Sequence, residues 1–385
     1  MTDRLLNRLF AGLLLVLVAT PAALAQEKAA TQSSAAEIEK AKAESKEATT
    51  TSTAEAPPSA KPQTAKSKLT RWLDLQSATL NLRYRFVDTS AGVTTTNQLQ
   101  HRESFRGRFK FDPQGNYSLN FGLFTGRRFT SGWDSTGWGN ASGQTNLALK
   151  QLYFSAQPVK GVEVQYGGLY LVRGESTEIT TYDEDGYIVG ERVSLKRPDN
   201  LFFDEFSVTY AYLGDTNIPN LNKRYHRLKQ SNYHQFLVRK KISERAAVSA
   251  DYTFLSGAET LRQAVKVKAP ELRVVDSVLF ENYQRIDVKP DYGFALSVER
   301  TLAKKLTLGG GYAQIDPHYG GLNADRFNIG KRVFFSVSYQ LSPEFTASTF
   351  VTTAVANGVA LPQRTLLNVV FSYNLLKSLK RLGLF

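Results

Sequence analysis

The chain has 385 residues, 42% hydrophobic and 22% charged, and its 48 Lys and Arg outnumber 35 Asp and Glu for a net charge of +13. With no cysteine it has no disulfides, thiol nucleophile or Cys-ligated zinc or iron–sulfur cluster, and four His leave little for a His-rich metal site. A mean hydropathy of −0.30 is too low for a bundle of membrane helices; together with 18 Tyr, 23 Phe and 27 Gly it fits a transmembrane β-barrel, where only alternate strand residues meet lipid.

Residues 1–25 read as a secretory signal peptide: Arg4 and Arg8, an apolar run from Leu9 to Val18, and an Ala23-Leu24-Ala25 cleavage pattern. The run is short for a membrane anchor, and no Cys follows for lipid attachment. A pI near 9.6 suits nucleic acid, but export argues against that partner. Residues 26–68 lack any aromatic and are rich in Ala, Lys, Glu, Ser, Thr and Pro, so they cannot bury enough apolar surface to order themselves. They are expected to form a disordered periplasmic linker, with a cell-wall handle or a short self-associating helix over Ala35–Ala48 as the sharper alternatives.

From residue 69 onward the hydrophobic pattern has period two. Leu80, Leu82, Tyr84 and Phe86 share one face of a strand, and Asn81, Arg83 and Arg85 the other. Phe105, Phe109 and Phe111 likewise oppose Arg102, Arg106, Arg108 and Lys110. The pattern predicts strands at 78–88, 98–111, 116–127, 146–157, 161–180, 187–197, 201–213, 232–242, 246–256, 259–268, 272–286, 291–300, 305–314, 331–341, 344–354 and 364–375. That makes an antiparallel transmembrane β-barrel over 69–375 of about 16 strands, or 14 if 259–286 is a loop hairpin, followed by a tail at 376–385.

Connections alternate between tight turns (112–115, 158–161, 243–244, 302–305, 342–344) and long ones (127–146, 214–231, 314–331), as periplasmic turns and outer loops do. Tyr117, Tyr212, Tyr292, Tyr312, Tyr339 and Tyr373 at strand ends suit interfacial girdles. Gly167-Gly168 and Gly309-Gly310-Gly311 precede no helix, so they read as sites of bending or aromatic packing in the wall and not as a phosphate loop. The loop 127–146, with Trp133 and Trp138, either constricts a pore or stays outside as a receptor surface. Lys377, Lys380 and Arg381 break the alternation before Phe385, which predicts a short amphipathic helix after the last strand.

The candidate solute-binding residues are the cations on the inward parity: Arg83, Arg85, Arg102, Arg106, Arg108 and Lys110 on the first two strands, then Arg192, Lys196 and Arg239. Fewer acids oppose them, namely Glu163, Glu205, Asp251 and Glu299. In a narrow lumen with low-dielectric walls, such a ladder raises the local anion concentration. The competing reading pairs the same cations with lumen acids, or with Asp183-Glu184-Asp185 folded inward, and makes them structural. Exposed Lys and Arg also suit anionic lipid headgroups.

Leu82-Arg83-Tyr84-Arg85-Phe86 followed by Arg102-x-x-x-Arg106-x-Arg108-x-Lys110 resembles the opening hairpin of alginate-export-like porins. Lys150-Gln151-Leu152-Tyr153-Phe154, Pro158, Gly161 and Val162-x-Val164-x-Tyr166-Gly167 resemble a strand–turn–strand of the same family, and the resemblance is firmest over 78–170. It implies a closed barrel whose inward arginines guide an acidic polysaccharide.

No catalytic residue, metal ligand or cofactor is expected. There is no G-x-S-x-G elbow, and Asp204 and Glu205 point to opposite faces of a strand. His101 takes the lipid-side parity, His226 and His318 lie in loops, and nothing fixes a Ca²⁺ geometry at Asp316 and Asp325. The resulting expectation is an outer-membrane porin for small anionic or polar solutes, with outer-membrane lipid as its other partner and homo-oligomerisation left open. The alternatives are a specific channel for acidic sugars or oligosaccharides and a non-conducting anchor or receptor.

Overall fold

A computed structural model describes residues 71–383, except 90–91, 130, 139–146, 182–186, 198–201, 270, 272–273, 288–290, 316–326, 328 and 356–364. The leader, the linker, Asp183-Glu184-Asp185, His318 and Phe385 lie outside the described residues. The period-two pattern becomes β1 (Leu73–Asp88), β2 (Thr94–Lys110), β3 (Tyr117–Phe124), β4 (Ala148–Val159), β5 (Val162–Tyr170), β6 (Tyr187–Lys196), β7 (Glu205–Tyr212) and β8 (Tyr233–Lys241). The second half holds β9 (Ala246–Leu255), β10 (Ala258–Lys268), β11 (Ser277–Arg285), β12 (Asp291–Ala303), β13 (Leu306–Ile315), β14 (Gly330–Gln340), β15 (Phe345–Ala354) and β16 (Thr365–Asn374). Each strand pairs antiparallel with its sequence neighbours, and β1 closes on β16 with Thr79 opposite Asn374 and Asp88 opposite Thr365. Closure removes the sheet edges, so no row of unpaired backbone groups faces lipid.

The registers carry one parity around the whole ring. Leu80, Phe109, Phe154, Tyr166, Tyr210, Phe236, Phe280, Leu296, Phe335 and Phe371 are exposed on the outer face, although large and apolar. For a water-soluble sheet this would be a costly surface; against hydrocarbon it is the favoured one. Outer aromatics also touch: Phe154 lies near Phe111 and Tyr117 at the short-turn end, and Phe294 near Tyr312 toward the opposite end.

The two strands in doubt, β10 and β11, pair with each other in the wall and with β9 and β12, so the 14-strand alternative is excluded. The expectation of one strand over 161–180 is corrected. β5 ends at Tyr170, and Gly174, at φ +61, and the polar run behind it leave the sheet. The short turns fall where expected. At 111–116 the Asp112 carboxylate accepts from the amides of Tyr117 and Asn116, and the Tyr117 N–H is the main reason that carboxyl sits below its usual range.

Aromatic packing on glycine occurs in the wall as anticipated. Gly311 lies opposite Phe334, whose ring folds over the position a Cβ would take, 2.6 Å from its Cζ, while the Leu296 carbonyl closes the other side. Gly311→Ala is therefore expected to destabilise the barrel by about 1–3 kcal/mol through overpacking. A lower urea midpoint of the refolded protein, with unchanged mobility of the folded band on a gel, checks this.

The predicted terminal helix is α1 (Leu375–Arg381). Asn374 caps it by accepting from the Lys377 amide at 3.0 Å, Leu376 is buried, and Arg381 pairs with Glu344 of the β14–β15 turn at 2.9 Å.

The barrel lumen as candidate functional site

The inner face begins with the first two strands. Arg83 is 2% exposed; its Nε donates to Gln100 at 2.8 Å, and its guanidinium lies 4.2 Å from the centre of the Trp133 ring. Arg102 lies 4.9 Å from the same ring, so Trp133 sits against two cations of the ladder. Arg85 is half-buried on the same inward parity as Arg83. Arg106 stacks 5.2 Å over Phe124 and faces a cavity, and no carboxylate among the described residues lies within salt-bridge range of it. Arg108 pairs with Asp74 at 2.7 Å, and Lys110 is half-buried near the short-turn end.

Further round, Arg192 is 2% exposed and donates to Thr209, Gln165 and the Tyr170 carbonyl. Lys196 pairs with Glu163 at 2.5 Å and Arg239 with Glu175 at 2.6 Å. The nine residues thus share the inner parity, but they split. Arg108, Lys196 and Arg239 are each matched to a carboxylate, and Arg83 and Arg192 are buried in hydrogen bonds. Glu163 does take the pairing role raised for the lumen acids, and Asp251 takes it with Arg262 at 3.0 Å.

The largest feature that strand parity does not reveal is the segment 171–181 between β5 and β6. It runs along the inner wall from β8 to β13. Gln235 donates to the Val172 carbonyl, Ser249 accepts from the Glu175 amide, and Arg262 donates to the Thr180 carbonyl. Glu281, fully buried on β11, accepts three bonds of 2.6 Å from the Thr177 amide, the Thr177 hydroxyl and the Thr180 hydroxyl. Two apolar anchors hold the ends: Leu171 with Tyr153, Leu169, Ile188 and Tyr233, and Ile179 with Tyr283, Ala295, Ala313 and Ile315. A segment without sheet pairing persists inside the barrel because side chains of four strands, β8 to β11, satisfy it. The only sequence signals were the end of alternation, Gly174, and a Ser/Thr/Glu-rich run where a strand was expected.

A second inward element is part of the 127–146 loop. Trp133 is 6% exposed against Arg83 and Arg102, whereas Trp138 is 60% exposed beside His101, so the loop both folds inward and presents an outer aromatic. Lys150 is wholly buried, and its ammonium donates to the carbonyls of Thr125, Arg128 and Ser131 at 2.7–2.9 Å. Lys150 is the extra residue of a bulge where Gly122 and Leu123 pair with Gln151 and Leu149. Lys150→Met keeps the stem and leaves three carbonyls without their donor, and the expected loss is on the order of 3 kcal/mol. Faster tryptic cleavage at Arg127 and Arg128, with a lower urea midpoint, checks it.

The histidines do not converge on a catalytic arrangement among the described residues. His101 bonds Glu103 at 2.8 Å on the outer face. His234 is stacked between Tyr210 and Phe254 and bonds Ser231 at 2.7 Å, but no carboxylate orients its other ring nitrogen.

No protein-family model matches the sequence, and the search of curated proteins gave no match. Solved structures do match. A mutant of the Rhodopseudomonas blastica porin aligns at a TM-score of 0.52 and 11% identity, over 78% of this chain and 99% of that one. OmpF of Salmonella typhi, in complex with daunomycin, aligns at 0.52 and 12%, over 78% of this chain and 97% of its own. At such identity the likeness is one of fold: the chain is a closed 16-stranded antiparallel barrel of the kind these bacterial porins have.

Proposed function

We propose that this chain is an outer-membrane porin that passes small hydrophilic solutes by electrodiffusion, with a preference for anions. One observation carries the reading: a closed 16-stranded ring with an apolar outer face and a charged inner one, along which the segment 171–181 is held. A ring of this size leaves an aqueous channel where an eight-stranded one is filled by side chains. The likeness in fold to the two porins supports the same class.

Anion preference comes first from Arg106, which no carboxylate among the described residues neutralises, and not from the ladder as a whole. Residues 1–25 serve as the export signal and 26–68 as a periplasmic linker in this reading. The resemblance of 78–170 to alginate-export-like porins makes acidic sugars the first solutes to screen. The test is the reversal potential of the refolded protein in a planar bilayer under a KCl gradient. An anion-selective potential on a stable conductance supports the proposal; no conductance from folded, inserted protein overturns it in favour of a plugged anchor or receptor.

A further inference from the structure

The inner wall of β1–β5 holds a cavity of about 310 Å³ lined by Gln76, Arg106, Asn120, Gln151, Tyr153 and Tyr170, with Phe121 and Leu171 completing it. Its volume is that of a small-ligand site. Part of its wall is buried: Asn120 is 6% exposed, Gln151 5%, Tyr153 9% and Leu171 9%, while Gln76 stands open to solvent. Gln151 is nine-tenths buried and lines the space. Arg106 is the one cation among the lining residues; it is held by Phe124 and faces no acid among the described residues. Leu171 anchors the start of the inward segment 171–181, so the cavity adjoins that segment.

These groups specify a ligand. One guanidinium without a counter-ion takes one carboxylate. Three amides and two phenols offer donors and acceptors in near-equal supply, which suits hydroxyls, each itself both donor and acceptor. A bare fatty acid would leave the amides unpaired, and a neutral polyol would leave the guanidinium unpaired, and both are penalised when buried. We infer that this cavity is a resting site for a small hydroxylated monocarboxylate of sugar-acid size, taken up one molecule at a time beside the inward segment. The inference deepens the channel reading and rests on it.

The test is isothermal titration of the refolded full-length protein in detergent with three probes: gluconate, sorbitol, which lacks the carboxylate, and hexanoate, which lacks the hydroxyls. Saturable binding is expected for gluconate, at least tenfold weaker for the other two. Arg106→Gln should cost about tenfold and Tyr153→Phe a few-fold, with the gel mobility of the folded band unchanged. No saturable gluconate binding, equal binding of sorbitol or of hexanoate, or full retention in Arg106→Gln overturns the inference. Bilayer conductance on the same preparation separates the failures: current without gluconate binding sinks the cavity alone, while binding without current sinks the channel reading.

Discussion

If the segment 171–181 narrows the lumen, Glu281→Ala combined with Thr180→Val is expected to raise single-channel conductance roughly twofold or more by freeing it from the wall. Glu281 gathers three short bonds from 177–180, and Arg262 adds one to the Thr180 carbonyl. Removing the carboxylate alone would strand a buried amide and two hydroxyls, each costing about 1–3 kcal/mol if unsatisfied. With the Thr180 hydroxyl also gone, the cheapest response is for the segment to leave the wall and hydrate. The barrel itself pairs independently of 171–181, since β5 and β6 bond through Val162–Tyr170 and Tyr187–Leu195. The folded band should therefore survive while current rises and becomes noisier. Unchanged conductance with proven folding would show that the constriction lies elsewhere.

The wall was legible in the sequence because its physics is local: each strand must alternate, so Leu80 and Arg83 could be assigned to faces without knowing any partner. Closure also followed, since an even count and alternating connection lengths leave no edge. What could not be read was non-local. Nothing at Thr177 announces a carboxylate on a strand a hundred residues away, and the alternation extrapolated past Tyr170 hid the segment altogether. The candidate cations fared likewise. Parity placed all nine, yet pairing decides which carry net charge, and pairing with Asp74, Glu163 or Glu175 depends on register and on an inward loop. In the sequence Lys150 reads only as part of a strand motif; its bulge turns it into the hub of a loop, a role with no period in the sequence.

Pairing gives the second large effect its sign. Arg106→Glu is expected to move the reversal potential strongly toward cations, replacing an unmatched positive charge with a negative one beside the inward segment. Glu175→Gln should move it the other way. Its carboxylate neutralises Arg239 at 2.6 Å from the inward segment, and the amide leaves that guanidinium as a new luminal charge. Adding Glu at Arg108 to the Arg106 change should extend the shift by a comparable amount, because it also releases the Asp74 carboxylate that Arg108 neutralises. Screening sets the conditions. At 0.1 M salt the Debye length is about 10 Å, so these shifts should be read at low ionic strength and should shrink toward 1 M. Opposite shifts for Arg106→Glu and Glu175→Gln are the signature of a lumen whose selectivity is set by its unpaired charges. Shifts of the same sign, or none from either, would mean that ions cross without passing this wall.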